Sequence, residues 1–418
     1  MLIQNRNDLQ FCIEQAIRTV RITDLHTHLF SECFGELFLY NVDDLLTYHY
    51  LIEEALLVSR MNYEEFWNMS KRKQADFIWK TVFIDNIPMS ESARSVLTIF
   101  KAEGMDVNCK DLNYYRKHFD TLDKSEYVDR IFDIVGLDYI VMTNDPFDKV
   151  EAGVWADSYV KDDRFKTALR LDVLLNTPEV AFSALNDWGY AVMVDADGKL
   201  SKTSIKYIKR FLADQIDMME ALYCAASLPP CFLMDDGSIR AQIMETCVLP
   251  VCREKNIPVA LMIGVIREVN NKLRHAGSSL GKADIKMLHY LCSNFPQNKF
   301  LVTMLARENQ HELTACGRIF NNLLIFGCWW FLNNPSLEKS LTEMRIEMLG
   351  NAFVAQHSDA CIFGQLISKW DHYKPIISQI LYEKYGDLID SGYYLTNERI
   401  NKDVYNLFGG NFWLFLGK

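Results

Sequence analysis

The fold and a candidate metal site can both be predicted from one stretch near the start of the chain, Val20-Arg21-Ile22-Thr23-Asp24-Leu25-His26-Thr27-His28. Residues 20–25 alternate like a β-strand, and side chains two positions apart on a strand point to the same face. His26 and His28 therefore leave one face about 7 Å apart along the strand. Such a pair suits two nitrogen ligands of one divalent ion, although a chance surface pair has the same appearance.

Length and composition indicate an ordinary globular chain. It has 418 residues, 49% hydrophobic and 24% charged, with a formal net charge of −11, which argues against nucleic acid or an anionic membrane as partner. The eleven cysteines are scattered without a C-x-x-C spacing, which is typical of buried thiols in a reducing compartment. The first residues lack a signal-peptide pattern, and no apolar run approaches the length of a membrane span. We therefore expect a soluble, cytoplasmic protein.

Short apolar runs alternate with longer amphipathic stretches along the chain. Residues 20–25 are the first run, and the other seven are 138–143, 167–172, 222–227, 259–264, 300–305, 323–328 and 353–356. Eight strands with helical crossovers predict an α/β fold of the (βα)8 TIM-barrel type. A doubly wound open sheet is the alternative.

The first crossover is much longer than the others. We expect residues 1–30 to form an N-terminal helix and barrel strand 1, residues 31–130 a large helical insertion, and residues 131–418 the remainder of the barrel. Asp43 and Asp44 are placed to cap a helix over residues 45–52. Because the loops after barrel strands open on the catalytic face, the insertion should cover that face.

The eighth run introduces the third candidate metal ligand, Asp359. In a closed barrel strands 1 and 8 are neighbours, so Asp359 would face His26 and His28 across the seam; a helix cap is the alternative role. Strands 4 to 6 end without further ligands, at Ser227, Met262, Thr303 and Leu305. We therefore expect one divalent ion held by His26, His28 and Asp359.

Other side chains are expected near the mouth of the barrel. Arg170 lies in an apolar strand, where a guanidinium needs a carboxylate from a substrate, from Asp172 or from another acid. At least one indole of the pair after strand 7, Trp329 and Trp330, should lie at the mouth, where it would contact a sugar or serve packing. On the insertion, His49 and Tyr50 could form a proton-transfer pair. Five further histidines are expected on the helix after strand 6 (His311) or as surface or core residues (His118, His275, His289 and His372).

In their order, these motifs resemble those of uronate (glucuronate) isomerases, a divergent family of the amidohydrolase superfamily, and most closely a short branch of it. The similar stretches are residues 24–30, 44–50, 143–146, 168–172, 327–331 and 357–359. The resemblance runs from about residue 20 to the end. It implies a distorted (βα)8 barrel that interconverts D-glucuronate with D-fructuronate, and D-galacturonate with D-tagaturonate. It also implies zinc-ligand roles for His26, His28 and Asp359, and substrate or proton-transfer roles for His49, Tyr50 and Arg170.

One position departs from the family pattern. An arginine is expected two residues after the strand-8 aspartate, and this chain has Cys361 there. A thiol replaces a charged hydrogen-bond donor poorly, and losing such a bond costs about 1.5–3 kcal/mol, or a factor of roughly 10 to 150 in rate. The enzyme could be slow, act on another uronate, or take the charge from Arg267 or Arg307.

The sequence thus predicts a uronate isomerase that works by proton transfer through a cis-enediol. The expected catalytic residues are Asp359, Tyr50 and His49; the expected substrate-binding residues are Arg170, Trp329 and Trp330; and the expected cofactor is one divalent ion, zinc by resemblance. The expected partner is a small hexuronate, with no nucleic acid or membrane, and a homo-oligomer is left open. Two alternatives stay open, a mononuclear metal-dependent hydrolase on the same barrel and a weakly active or non-catalytic sugar-acid binding protein.

Overall fold

The centre of the molecule is a sheet of seven parallel strands. A computed structural model describes residues 2–3 and 5–418. The strands are hydrogen-bonded in sequence order: β1 (Ile22–Thr27), β2 (Leu137–Asn144), β3 (Phe165–Arg170), β4 (Cys224–Leu228), β5 (Val259–Ile263), β6 (Phe300–Met304) and β7 (Leu323–Ile325). Each corresponds to an apolar run in the sequence, with ends that differ by up to three residues.

The eighth segment closes the barrel in a distorted way. The strand predicted over Phe353–Gln356 is a single bridge in which Val354 pairs in parallel with Phe326. Residues 353–356 do not pair with β1. The seam closes further on, where the Asp359 N–H donates to the His26 carbonyl at 3.2 Å and the His28 N–H donates to the Ala360 carbonyl at 2.8 Å. The barrel is therefore joined most directly at the end where the histidines lie.

A turn near the C-terminus, Asn406–Gly410, explains why the eighth strand is short. The Ala355 N–H donates to the carbonyl of Leu407 at 2.9 Å instead of to β1. The turn also lies against β1, since a Cβ on Gly409 would be 2.7 Å from the Thr23 Cβ. Gly409 has φ +129°, and glycine alone adopts that conformation at so close an approach without strain. The turn thus occupies the position that the lower part of a regular eighth strand would fill.

Side chains from alternate strand positions fill the barrel interior. Such filling is typical of a packed (βα)8 barrel without a pore. The interior cluster includes one residue from each strand and from the eighth segment: Leu25, Val141, Ala168, Ala225, Ala260, Leu301, Leu324 and Val354. A second, larger cluster packs the outer strand faces against the surrounding helices.

The connection from β1 to β2 is mostly helical, as expected for the insertion. Its elements are Glu32–Leu37 (3-10), Val42–Leu46, His49–Ser59, Tyr63–Trp67, Lys71–Ile78, Trp79–Ile84 (π), Glu91–Ala102, Leu112–Asp120 and Lys124–Val135. Asn41, not the predicted Asp43 or Asp44, caps the second of these, and Asp44 completes the capping box. That helix ends at Leu46, so the predicted helix over residues 45–52 is wrong: a new helix begins at His49.

The other elements surround the barrel. Arg6–Thr19 precedes β1, and the later helices are Lys149–Asp157, Asp172–Asn176, Pro178–Asp187, Lys202–Met219, Ile239–Ile243, Met244–Val248 (π), Leu249–Glu254, Asn271–Gly277 (3-10), Lys286–Asn294, Arg307–Asn309 (3-10), Gln310–Ile319, Trp330–Leu332 (3-10), Pro335–Leu349, Phe363–Asp390, Asn397–Tyr405, Asn406–Gly410 (π) and Asn411–Leu416. Two small antiparallel pairs complete the fold, Leu2–Ile3 with Leu395–Thr396 and Val265–Ile266 with Ser279–Leu280. Within residues 2–3 and 5–418, no helix has the length and apolar character needed to cross a bilayer.

Candidate functional site

Three candidate metal ligands meet at the closed end of the seam. His26 and His28 come from the end of β1, and their Nε2 atoms lie 3.7 Å and 3.5 Å from Asp359 Oδ1. One ligand atom from each residue lies within 4.8 Å of the others. No further group of three such side chains is found in the described part of the chain. The predicted triad of His26, His28 and Asp359 therefore forms.

The charge states of His26 and Asp359 favour a cation. Burial lowers the pKa of His26 well below its ordinary value, which keeps the imidazole neutral. Burial alone would raise the pKa of Asp359, but the nearby His28 and His26 lower it far below its usual range. Its Oδ1 atom is buried and has no hydrogen-bond partner in the described residues. A neutral His26 imidazole and an ionised carboxylate with an unpartnered oxygen fit a divalent ion.

Neighbouring groups fix the orientation of these ligands. The Tyr223 hydroxyl lies 3.2 Å from His26 Nδ1 and donates to the Leu25 carbonyl at 2.5 Å. It can therefore accept the Nδ1 proton, which leaves the Nε2 lone pair directed toward the site. On the other side of the seam, Asp24 accepts from the Ser358 N–H at 3.1 Å and from the Trp370 indole at 2.9 Å. Sequence reasoning missed Tyr223, which precedes β4 and has no motif around it.

The insertion brings His49 and Tyr50 to the mouth. The His49 ring lies 4.3 Å from Tyr50 and 5.5 Å from Trp330, measured between ring centroids. Its Nε2 atom is buried without a hydrogen-bond partner among the described residues. Burial, together with His275, lowers the pKa of His49 to about 3. Burial and the charge of Asp359 raise the pKa of Tyr50, so a neutral imidazole and a protonated phenol stand side by side.

Arg170 is the last residue of β3. One edge of its guanidinium is ion-paired with Asp172, and the other makes no hydrogen bond to the described residues. Its Nε donates to Asp172 Oδ2 at 2.5 Å, and Asp172 Oδ1 accepts from the Ser227 N–H at 2.6 Å. The two Nη atoms donate no hydrogen bond to any described residue. Arg170 lines an open cleft of about 800 Å³ together with Arg267 and His275. The structural ion pair and a free donor edge thus coexist, where the sequence had posed them as alternatives.

The two tryptophans differ in their surroundings. Both are buried, Trp329 at 3% and Trp330 at 7% exposed, and both belong to the interior cluster. Trp330 lies at the mouth, stacked on Phe331 with a centroid distance of 5.2 Å, and its indole nitrogen is buried without a described partner. Trp330 also lines a second, smaller cavity of about 170 Å³, together with Tyr48, Tyr50 and Lys369. The expectation of an indole near the mouth is therefore met by Trp330.

The position of the missing arginine is occupied by a neutral thiol. Cys361 Sγ lies 3.8 Å from the Tyr48 hydroxyl, and burial raises the pKa of the thiol to about 12. Of the two arginines that could supply charge, Arg267 lines the cleft and has its guanidinium 5.6 Å from the Trp330 ring centroid. Arg307 is exposed on the short 3-10 turn after β6 and lines neither cavity. Arg267 is thus the better-placed of the two.

One further histidine, His275, was missed as a site residue. It is exposed, in agreement with the expectation of a surface or core residue, but its ring also stacks on Trp330 at 5.7 Å and meets the edge of His49 at 5.3 Å. The one sequence signal was its place in the connection after a barrel strand, where loops open on the catalytic face. His311 lies exposed on the helix Gln310–Ile319 and lines neither cavity.

The chain is similar to solved structures over nearly its full length. It is 46% identical to a uronate isomerase from Bacillus halodurans C-125, over 100% of this chain and 98% of that one, with a TM-score of 0.96. A glucuronate isomerase from Caulobacter crescentus is 16% identical, over 98% and 94% of the two chains, with a TM-score of 0.77. A uronate isomerase from Thermotoga maritima is 15% identical, over 99% and 100%, with a TM-score of 0.73. No protein-family model and no curated protein matches the sequence.

Proposed function

The chain belongs to the uronate isomerase family, and on that premise we propose that it interconverts an aldose hexuronate and its keto form, D-glucuronate and D-fructuronate in the first instance. The observation that carries this proposal is the convergence of two features at one barrel mouth. One is the triad of His26, His28 and Asp359, and the other is the free Nη edge of Arg170 in the adjoining cleft. D-galacturonate and D-tagaturonate form the second pair to be tested.

We assign the carboxylate of the substrate to Arg170. Asp172 holds the guanidinium by its Nε atom, so the two Nη atoms keep a fixed direction. Such a planar fork matches a carboxylate with two parallel hydrogen bonds. Trp330 would supply an aromatic face and an indole donor beside the sugar chain. Trp329 lines neither cavity and would hold Trp330 in place through the contact of the two rings.

Aldose–ketose isomerisation needs proton transfers at two carbons and two oxygens. The C2 proton is removed while O1 gains a proton, which gives the enediol; then C1 gains a proton while O2 loses one. We propose that Asp359, Tyr50 and His49 share these transfers. Tyr50 is protonated and can donate, ionised Asp359 can accept, and neutral His49 can do either, as the directions of their pKa shifts support.

We propose zinc as the ion of the triad. His26, His28 and Asp359 would hold it, and a bound divalent ion would act as a Lewis acid toward a substrate oxygen. Metal analysis of the gently purified chain should find close to one equivalent, and His26→Ala should lose it. His289→Ala is the matched control, because His289 is exposed on another helix, and it should keep the ion. Two equivalents in the purified chain would contradict the proposal.

The reaction can be tested by NMR in deuterated buffer. Incubation with D-glucuronate should give the ketose, with deuterium from the solvent at C1 or C2, and Asp359→Asn should abolish the conversion. A panel of hexuronates would identify the preferred substrate. A folded, metal-loaded chain that converts none of them would refute the isomerase proposal. Cleavage of an ester or amide panel would instead favour a hydrolase, and binding of a uronate without conversion a sugar-acid binding protein.

We also propose a cytoplasmic location. All eleven cysteines are free thiols in the structure, and seven of them are buried: Cys12, Cys224, Cys247, Cys252, Cys292, Cys316 and Cys328. This usage supports a reducing compartment. Fractionation of cells that express the chain would test the location.

A further inference from the structure

The loop after β5, residues 265–280, is a short hairpin with a tightly closed tip. Its two ends pair antiparallel, with Val265 opposite Leu280. At the tip, the Asn270 N–H donates to the Gly277 carbonyl at 3.0 Å. A Cβ on Gly277 would lie 1.8 Å from the Asn270 carbonyl oxygen, so the tip has no room for a larger residue. The loop therefore has a defined shape.

The insertion anchors this loop from the outside. The Trp67 indole donates to the Lys272 carbonyl at 2.9 Å, and the Arg274 guanidinium lies 4.4 Å from the centre of the Trp67 ring. Arg274 has φ +55° and ψ −136°, a conformation that residues other than glycine rarely adopt. Such conformations persist where the surroundings fix them, and they are concentrated at functional sites. Here the unusual residue directly precedes His275.

His275 reaches the mouth with its ring nitrogens unused. Its ring stacks on Trp330 with an interplanar angle of 25° and contacts the edge of His49. It lines the same cleft as Arg170 and Arg267. Within the described residues, neither ring nitrogen has a hydrogen-bond partner, so both are free to meet a molecule in the cleft.

The charge state of His275 suits a hydroxyl group. Burial, helped by the charges of Arg267, His28 and Arg170, lowers the pKa of its imidazole. A neutral imidazole has one N–H donor and one nitrogen acceptor, as has a sugar hydroxyl. A hexuronate with its carboxylate on Arg170 and its C1–C2 end toward His49 would place the middle of its chain beside His275.

We propose that His275 is a substrate-binding residue that hydrogen-bonds the hydroxyl at C4 of the hexuronate and so distinguishes C4 epimers. C4 lies midway between the carboxylate carbon and C2, and D-glucuronate and D-galacturonate differ there. The proposal rests on the proposed isomerase function. It gives a role to a loop residue that the proton transfers and the metal site do not use.

The test compares kcat and KM for both epimers in three variants. His275→Phe keeps a ring that can stack on Trp330 but removes both nitrogens, and His275→Gln restores a donor and an acceptor. His289→Ala is the control for loss of an exposed histidine. For His275→Phe we expect kcat/KM on the preferred epimer to fall about 3- to 10-fold, as for loss of one hydrogen bond, mainly through KM. The other epimer should change less than about twofold, and His275→Gln should recover most of the preference.

The possible outcomes separate this inference from the proposed function. An unchanged epimer ratio in His275→Phe, with an active wild-type chain, would overturn the inference alone and leave His275 as a packing residue. Equal losses on both epimers would also overturn it. If the wild-type chain converts neither epimer, the proposed function fails, and the inference fails with it.

Discussion

Replacement of Arg170 by methionine is the sharpest test of how the site recognises its substrate. Methionine keeps an unbranched, flexible side chain, although a shorter one, and removes the charge together with the hydrogen-bond donors. The free Nη edge can give a carboxylate two charge-assisted hydrogen bonds, each worth about 1.5–3 kcal/mol. Because Asp172 already neutralises part of the guanidinium charge through its bond to Nε, we take a net loss of about 3 kcal/mol, which corresponds to a fall in kcat/KM of roughly 150-fold.

The assay pairs D-glucuronate with D-glucuronamide, a neutral analogue that cannot form the charged contact. Arg170→Met should lose about 150-fold on the acid and less than about threefold on the amide. The two changes, in the protein and in the substrate, form a double-mutant cycle that isolates the coupling between the guanidinium and the carboxylate. Arg170→Lys should fall between, because it keeps the charge and loses the fork. Equal losses on acid and amide, with unchanged circular dichroism, would show that Arg170 only holds Asp172.

Three other predictions concern the departure from the family, the packing under the site and the pH dependence of stability. Cys361→Arg should raise kcat/KM about tenfold by restoring a charged hydrogen-bond donor, while Cys361→Ser should not. If arginine gives no gain, another residue of the site already supplies the charge. Gly327→Ala should lower the free energy of unfolding by about 2 kcal/mol more than Gly350→Ala. Both glycines have φ near +60°, but only at Gly327 would a Cβ meet a side chain, at 1.8 Å from His357 Nδ1. Equal losses of stability in urea unfolding would contradict this prediction. Burial raises the pKa of Glu338 from 4.5 to about 7, so the folded chain holds this proton more tightly than the unfolded chain. The stability that this provides is complete below about pH 4.5 and is lost as pH rises through 7. Between pH 5 and pH 8 the free energy of unfolding of Glu338→Gln should therefore rise relative to that of the wild type by up to ~3 kcal/mol. Parallel profiles of unfolding free energy against pH would refute the assignment.

The sequence was sufficient for the features set by local pattern. Seven strands could be predicted because buried parallel strands are continuous apolar runs of limited length, and all seven were found near their predicted positions. The triad could be predicted because His26 and His28 are two residues apart and because closure of the barrel brings the segment after the eighth apolar run next to the end of β1. The three candidate ligands therefore followed from spacing and topology together.

The features that were missed depend on contacts between distant parts of the chain. The eighth strand is reduced to a bridge because the backbone around Leu407 takes its hydrogen bond, and nothing in residues 353–356 indicates that competitor. His275 reaches the mouth because Trp67, some 200 residues earlier in the chain, holds its loop by an indole hydrogen bond. The helix predicted over residues 45–52 is interrupted between Val42–Leu46 and His49–Ser59. The position of this interruption depends on where the short first helix ends, and element boundaries are the least certain part of a sequence-based assignment.

The way the barrel closes connects its fold to its chemistry. The two backbone hydrogen bonds that join the seam, from Asp359 to His26 and from His28 to Ala360, involve all three candidate metal ligands. Asp359 has φ +52°, a left-handed conformation that is unfavourable for a residue other than glycine, and these bonds hold it there. An ion bound by the same three side chains would join the same two segments a second time, so metal binding would stabilise the closed seam as well as the site. Because the lower part of the seam is filled by the C-terminal turn, closure at the upper end is left to the residues that carry the chemistry.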